Sequence, residues 1–136
     1  MALTKVGSHP SHGGQVVFNA TASFTLDPSD SGKTFILKDA AVTVTLPTLS
    51  TNLAGFQITL ISGDASEHIL TGGNSLIYGH AFDSTAGNDA DAMLPLTGHS
   101  TITPGAGMLL GDKYDITTDG TNWYVYVFAG AEVAGS

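Results

Sequence analysis

The chain has no cysteine and no arginine, and no apolar run approaches the length that crosses a bilayer. Without cysteine there is no disulfide framework and no thiolate chemistry. Lys5, Lys33, Lys38 and Lys113 are the only strong cations against a net charge of −8. Phosphate contacts need clustered Lys or Arg, so neither nucleic acid nor an anionic membrane surface is expected as a partner. Helical periodicity with caps is nearly missing; only Ser50–Ala54, after Pro47, has room for one turn. The stretch from Met1 to Pro10 lacks the apolar core of a secretory leader, so the expectation is a soluble protein made in a cytoplasm.

Charged residues make up 12% of the chain, about half the usual share, yet apolar residues reach 42%, so low charge here does not signal disorder. Polarity comes from Thr, Ser, Asn and Gly, the residues of sheets and turns. The length of 136 residues suits one domain with a real core. Alternation and breakers mark strands at Gln15–Asn19, Ala22–Leu26, Lys33–Lys38, Ala41–Leu46, Phe56–Ser62, Glu67–Leu70, Leu76–Gly79, Ser100–Thr103, Met108–Leu110, Lys113–Thr118 and Trp123–Phe128. Thr118-Asp119-Gly120-Thr121-Asn122 is the clearest hairpin turn. The reading is therefore all-β: a compact β-sandwich or barrel of about ten short antiparallel strands. Residues 1–14 read as a flexible N-terminal arm, 15–128 as a single β-domain, and 129–136 as a C-terminal tail. Ala81–Ala92 reads as a long loop.

The search for chemistry returns little. Gly32-Lys33-Thr34 looks like the end of a phosphate-binding loop, but the position five residues before Gly32 holds Asp27, and a strand follows instead of a helix. His9 and His12 are separated by Pro-Ser, which supplies no rigid metal geometry, and further ligands are not at hand. His68, His80 and His99 lie near turns and read as partly buried polar side chains. Asn88-Asp89-Ala90-Asp91 lacks the spacing of a calcium loop and reads as a solvated acidic segment. Most aspartates sit in turns, where Asp is favoured for backbone reasons. No enzyme site, cofactor or metal is expected.

Trp123-Tyr124-Val125-Tyr126-Val127-Phe128 is apolar at every position. On a strand, Trp123, Val125 and Val127 share one face and Tyr124, Tyr126 and Phe128 the other. One face belongs to the core. The other, Tyr124, Tyr126 and Phe128, is either a second layer of the same chain or a subunit contact, with a sugar-stacking platform as a further reading; the subunit contact is the expectation, since aromatics concentrate in interface cores.

Taken in order, Gly32-Lys33-Thr34-Phe35-Ile36-Leu37, Val42-Thr43-Val44-Thr45-Leu46-Pro47, Ala54-Gly55-Phe56-Gln57-Ile58-Thr59-Leu60-Ile61, Gly111-Asp112-Lys113-Tyr114-Asp115-Ile116 and Asp119-Gly120-Thr121-Asn122-Trp123-Tyr124-Val125 resemble small β-domains of tailed-bacteriophage virions. Such domains occur in head decoration (capsid cement) proteins and in tail-fibre modules. The resemblance covers about residues 23–128. It implies a non-enzymatic virion protein on the outer capsid surface, a homotrimer that binds the major capsid protein and stabilises capsomer contacts. It also implies a capsid-docking arm, for which Leu3, Val6, Val16 and Val17 are the candidates. The alternative it leaves open is a receptor-binding or fibre adhesin module that takes host-surface glycans.

Overall fold

The structure, a computed structural model, describes residues 3–9, 15–83, 93–104, 108–130 and 133–136. The protein is all-β. In chain order its strands are β1 (Leu3–His9), β2 (Gln15–Ala20), β3 (Phe24–Thr25), β4 (Thr34–Leu37), β5 (Thr43–Thr45), β6 (Gln57–Ser62), β7 (Ile69–Thr71), β8 (Ile77–Asp83), β9 (Met93–His99), β10 (Thr101–Pro104), β11 (Lys113–Thr118), β12 (Trp123–Ala129) and β13 (Val133–Gly135). The described residues include no α-helix, only single 3-10 turns at Pro28–Asp30 and Thr51–Leu53.

The strands form an eight-stranded sheet, β1-β2-β4-β6-β11-β12-β8-β9, and a five-stranded sheet, β13-β10-β7-β5-β3. Both are mixed, which corrects the expectation of antiparallel strands. β2, β4 and β6 run parallel, as do β3, β5 and β7, and β8 runs parallel to β12. The cause is the path of the chain. After each strand from β2 to β7 it crosses to the other sheet, so its return to the first sheet points the same way. Each crossing strand supplies the long connection that parallel neighbours require. The alternation of a strand's side chains carries no information about its neighbour's direction, so this winding was invisible in the sequence.

Register places one continuous row along the inner side of the large sheet: Phe18, Phe35, Leu60, Tyr114, Val127, Ala81 and Leu94. In the small sheet Val44, Leu70 and Ile102 align likewise and are fully buried. Both rows join a single apolar cluster, where Phe35 packs between Phe18 and Phe24 and Trp123 meets Phe56 edge to face. Tyr114, on the large sheet, donates its hydroxyl to the carbonyl of His68, next to β7, at 2.8 Å. Burial pushes this phenol's pKa well up, with nearby Asp112 and Glu67 adding to the effect, so it stays a neutral donor.

Several elements differ from the sequence reading. Met93–His99 forms β9, which Pro95 and Gly98 conceal; a proline is tolerated there because β9 is an edge strand. Met108–Leu110 is not a strand but leads into a turn. Part of the segment read as an arm, Leu3–His9, pairs antiparallel with β2 at the opposite edge, and Val133–Gly135 of the tail pairs with β10. Residues 10–14, which include His12, and residues 84–92, which include the acidic segment, lie outside the described residues.

The turns explain the aspartates. Asp27 accepts from Ser29 N and Asp30 from Asp27 N around the first 3-10 turn. Asp119 accepts from Thr121 N and Asn122 N and closes the β11–β12 hairpin, where Gly120 takes positive φ against Ser50. Asp64 accepts from Asp39 N at 2.6 Å, Ser66 N at 2.8 Å and His68 Nε2 at 3.0 Å. Val42 N–H donates to His68 Nδ1, so the proton of this buried imidazole sits on Nε2, facing Asp64.

Asp64 is partly desolvated, which acts to raise its pKa. The hydrogen bonds from Ser66, Asp39 and His68 outweigh that and hold it below the ordinary 3.8. A carboxyl depressed on folding stabilises the native state above its unfolded pKa, and the benefit is lost as pH falls through the folded value. Asp27 and Asp119 are depressed mainly by their backbone donors and act in the same direction. The urea midpoint is therefore expected to be flat near neutrality and to drop below about pH 4. Asp64→Ala should cost about 1–3 kcal/mol at neutral pH and shrink the acid-dependent drop. A variant with an unchanged midpoint and an unchanged acid limb would refute this role.

Candidate interaction surface

The outer side of the large sheet carries aromatics in register across β11, β12, β8 and β9. One row reads Lys113, Phe128, Phe82, Met93, and the next Asp115, Tyr126, His80, Pro95. A third reads Thr117, Tyr124, Tyr78, Thr97. Phe82, Phe128, Tyr126 and Met93 are 38%, 40%, 44% and 53% exposed, a large apolar share for one face.

The rings pair across strands. Phe82 and Phe128 stack with centroids 5.0 Å apart and planes 7° apart. Lys113 Nζ lies 5.2 Å from the Phe128 centroid, on a strand at its other side, and also pairs with Asp115 at 3.1 Å. His80 and Tyr126 stack at 6.2 Å and 24°. Phe82 and Phe128 thus cover one ring face of each other, and Lys113 lies over the Phe128 ring. A sugar stacks on an open ring face, so this arrangement makes a ridge better suited to packing against another protein.

The ridge continues at the end of the sheet where β8 and β12 finish. Leu109 and Leu110 are 55% and 77% exposed there. Asp112 Oδ2 fixes this turn to the end of β12, accepting from Leu109 N at 2.8 Å and Gly130 N at 2.9 Å. The Leu109 side chain fills the space in which a Cβ on Gly130 would sit.

The sequence placed Tyr124, Tyr126 and Phe128 opposite Trp123, Val125 and Val127, and the structure has that alternation, with the second set fully buried. It missed Phe82 because Ala81–Ala92 was read as loop, His80 because the strand was ended at Gly79, and Met93 because β9 was not read as a strand. A signal was present: Ile77, Gly79 and Ala81 alternate with Tyr78, His80 and Phe82, apolar or small on one side and ring-bearing on the other. The arm candidates do not share one face. Leu3 lies opposite Ala20 and packs on the core cluster, Val16 and Val17 point to opposite sides of β2, and Val6 lies at an irregularity in the β1–β2 register.

Among the described residues, no three His, Cys, Asp or Glu side chains converge as a metal-binding group. No described helix is long and apolar enough to cross a membrane. The free edge at β9 is interrupted by Pro95, which has no N–H, and by Gly98 at positive φ, so a further strand is poorly accommodated there. Use of this region falls to its face. The chain matches no protein-family model and no curated protein. Its two mixed sheets define an all-β protein, and the exposed ridge is the feature from which a function is argued.

Proposed function

We propose that the protein is a virion structural protein of the decoration or cement type, acting by attachment and catalysing no reaction. Its two sheets face one another as a β-sandwich around the shared core. Copies associate, as a homotrimer, through the outer face of the large sheet with Tyr124, Tyr126 and Phe128 in the contact. The assembly sits on the outer capsid surface of a tailed phage, assembled in the host cytoplasm, and ties neighbouring capsomers through the major capsid protein. The N-terminal segment with Leu3, Val6, Val16 and Val17 contributes to docking.

The observation that carries the reading is the ordered apolar ridge of Phe128, Phe82, Met93 and Tyr126, which no described part of the chain covers. Burying aromatic area of this kind favours association by roughly 25 cal/mol per Å² before the costs of ordering. The acidic balance of −8 suits an outward surface and disfavours one that faces DNA. The mutual stacking of Phe82 and Phe128 weighs against glycan binding on the aromatics of this face; the other route of the adhesin alternative, the Ala81–Ala92 loop, lies mostly outside the described residues.

Adding the protein to undecorated shells, with electron microscopy of the product, tests the proposal. Regular density at symmetry-related outer sites is expected; bare shells at saturating protein would overturn it. Deleting residues 1–14, with thermal unfolding as a control for folding, should lower occupancy at least about tenfold through lost avidity. Unchanged occupancy would remove the N-terminal segment from the docking role while leaving the aromatic contact in place.

A further inference from the structure

The small sheet carries a different surface. Its register aligns Thr25, Thr45, Thr71 and Thr101 across β3, β5, β7 and β10. The hydroxyls of Thr71 and Thr101 are engaged: Thr101 donates to Thr71 at 3.4 Å, and Thr71 also accepts from Gly73 N at 3.2 Å. The hydroxyls of Thr25 and Thr45 have no side-chain partner among the described residues. These two open into a cleft of about 290 Å³ at the ends of the three parallel strands, which Thr48, Asn74 and Ser75 also line.

We propose that this cleft binds a neutral sugar unit. Its volume lies near the lower end for small-molecule sites, room for one ring rather than an extended ligand. Among the described residues no ionisable side chain lines it, so a phosphate, carboxylate or metal ion would find no counter-charge from them. Hydroxyls and an amide both donate and accept, which matches the mixed hydrogen-bonding of a polyol.

The walls are fixed in advance. Leu26 N donates to Thr45 O and Leu46 N to Thr71 O, each at 2.8 Å, and Ser75 N to Gly72 O at 3.0 Å. Gly73 takes positive φ in the turn that carries Asn74. Little ordering is then needed on binding. The site lies on the sheet that does not bear the aromatic ridge, so it can be open while the ridge is covered.

The test is a titration of isotopically labelled protein with glucose, galactose, N-acetylglucosamine and glucuronate, followed by amide chemical shifts. At least one neutral sugar should move the amides of Thr45, Gly72, Gly73 and Asn74 with a dissociation constant of about 1 mM or tighter. Glucuronate should bind at least about tenfold more weakly, because its charge has no partner there. Thr45→Val keeps the shape of the strand, and Asn74→Ala changes only an exposed turn. Each should weaken binding about fivefold or more while the rest of the spectrum stays in place. Neutral sugars that leave these amides unmoved, shifts that survive both substitutions, or glucuronate binding as tightly as the neutral sugars would overturn the proposal.

Discussion

Gly79→Ala should leave little folded protein. Gly79 lies on β8 opposite Val125 of β12, with φ +138, a region that side chains rarely adopt. A Cβ built there would stand 1.9 Å from the Val125 carbonyl oxygen and 2.8 Å from its carbon. Those atoms belong to backbone in the middle of the large sheet, and Val125 is fully buried, so neither partner can move aside. Relief requires separating β8 from β12. The expected loss is about 4 kcal/mol or more, a large part of the roughly 5–15 kcal/mol that holds a domain together. Gly73→Ala is the control: it too has positive φ, but nothing lies within 4 Å of the added atom. It should cost about 1–2 kcal/mol, the backbone term alone. Urea midpoints of the two variants measure the difference. A Gly79→Ala midpoint equal to that of Gly73→Ala would mean that the close β8–β12 approach is wrong.

The second large effect concerns association. Replacing Phe82 and Phe128 together by Asp should abolish the proposed self-association while sparing the fold. Both side chains are about two-fifths exposed, so little core packing is lost. Their rings stack on each other, and removing them dismantles the centre of the ridge. Two carboxylates would replace them on a chain already at −8, and every copy in a symmetric contact would bring the same charges. Aromatic residues at an interface centre commonly contribute 2 kcal/mol or more each, so dissociation should become at least about 100-fold easier. Sedimentation across a concentration series reads the mass of parent and variant, with a denaturation curve to verify folding. A parent with the mass of one chain at every concentration, or a variant that associates as the parent does, would refute the interface.

The legible part of this protein lay in its local patterns. The Trp123–Phe128 alternation was legible because a strand offers only two faces, and the set without hydroxyls, Trp123, Val125 and Val127, is the one the core covers. The β11–β12 hairpin was equally plain, since Asp119 and Gly120 supply the capping carboxylate and the positive φ that the turn needs. β9 escaped notice because Pro95 and Gly98 look like breakers, and only its place at a sheet edge makes them acceptable. His68 had seemed a partly buried polar residue near a turn. Its complete burial depends on Asp64 and Val42 meeting both ring nitrogens, which requires the β5 and β7 regions to be neighbours. The ridge was half legible: Tyr126 and Phe128 could be assigned to an outer face, but Phe82 and Met93 join them only through pairing of strands distant in sequence.

The sequence by itself determined that the protein would be all-β, poor in cations, and built from strands whose turns are capped by aspartate. Those properties follow from side-chain size, charge and hydrogen bonding within a few residues of chain. The tertiary structure decided which strands run parallel, which aromatics gather on one outer surface, and which threonine hydroxyls are left open. Those depend on register between segments tens of residues apart. A one-residue slip in that register would turn every side chain of a strand to the opposite face, yet would leave its local pattern unchanged.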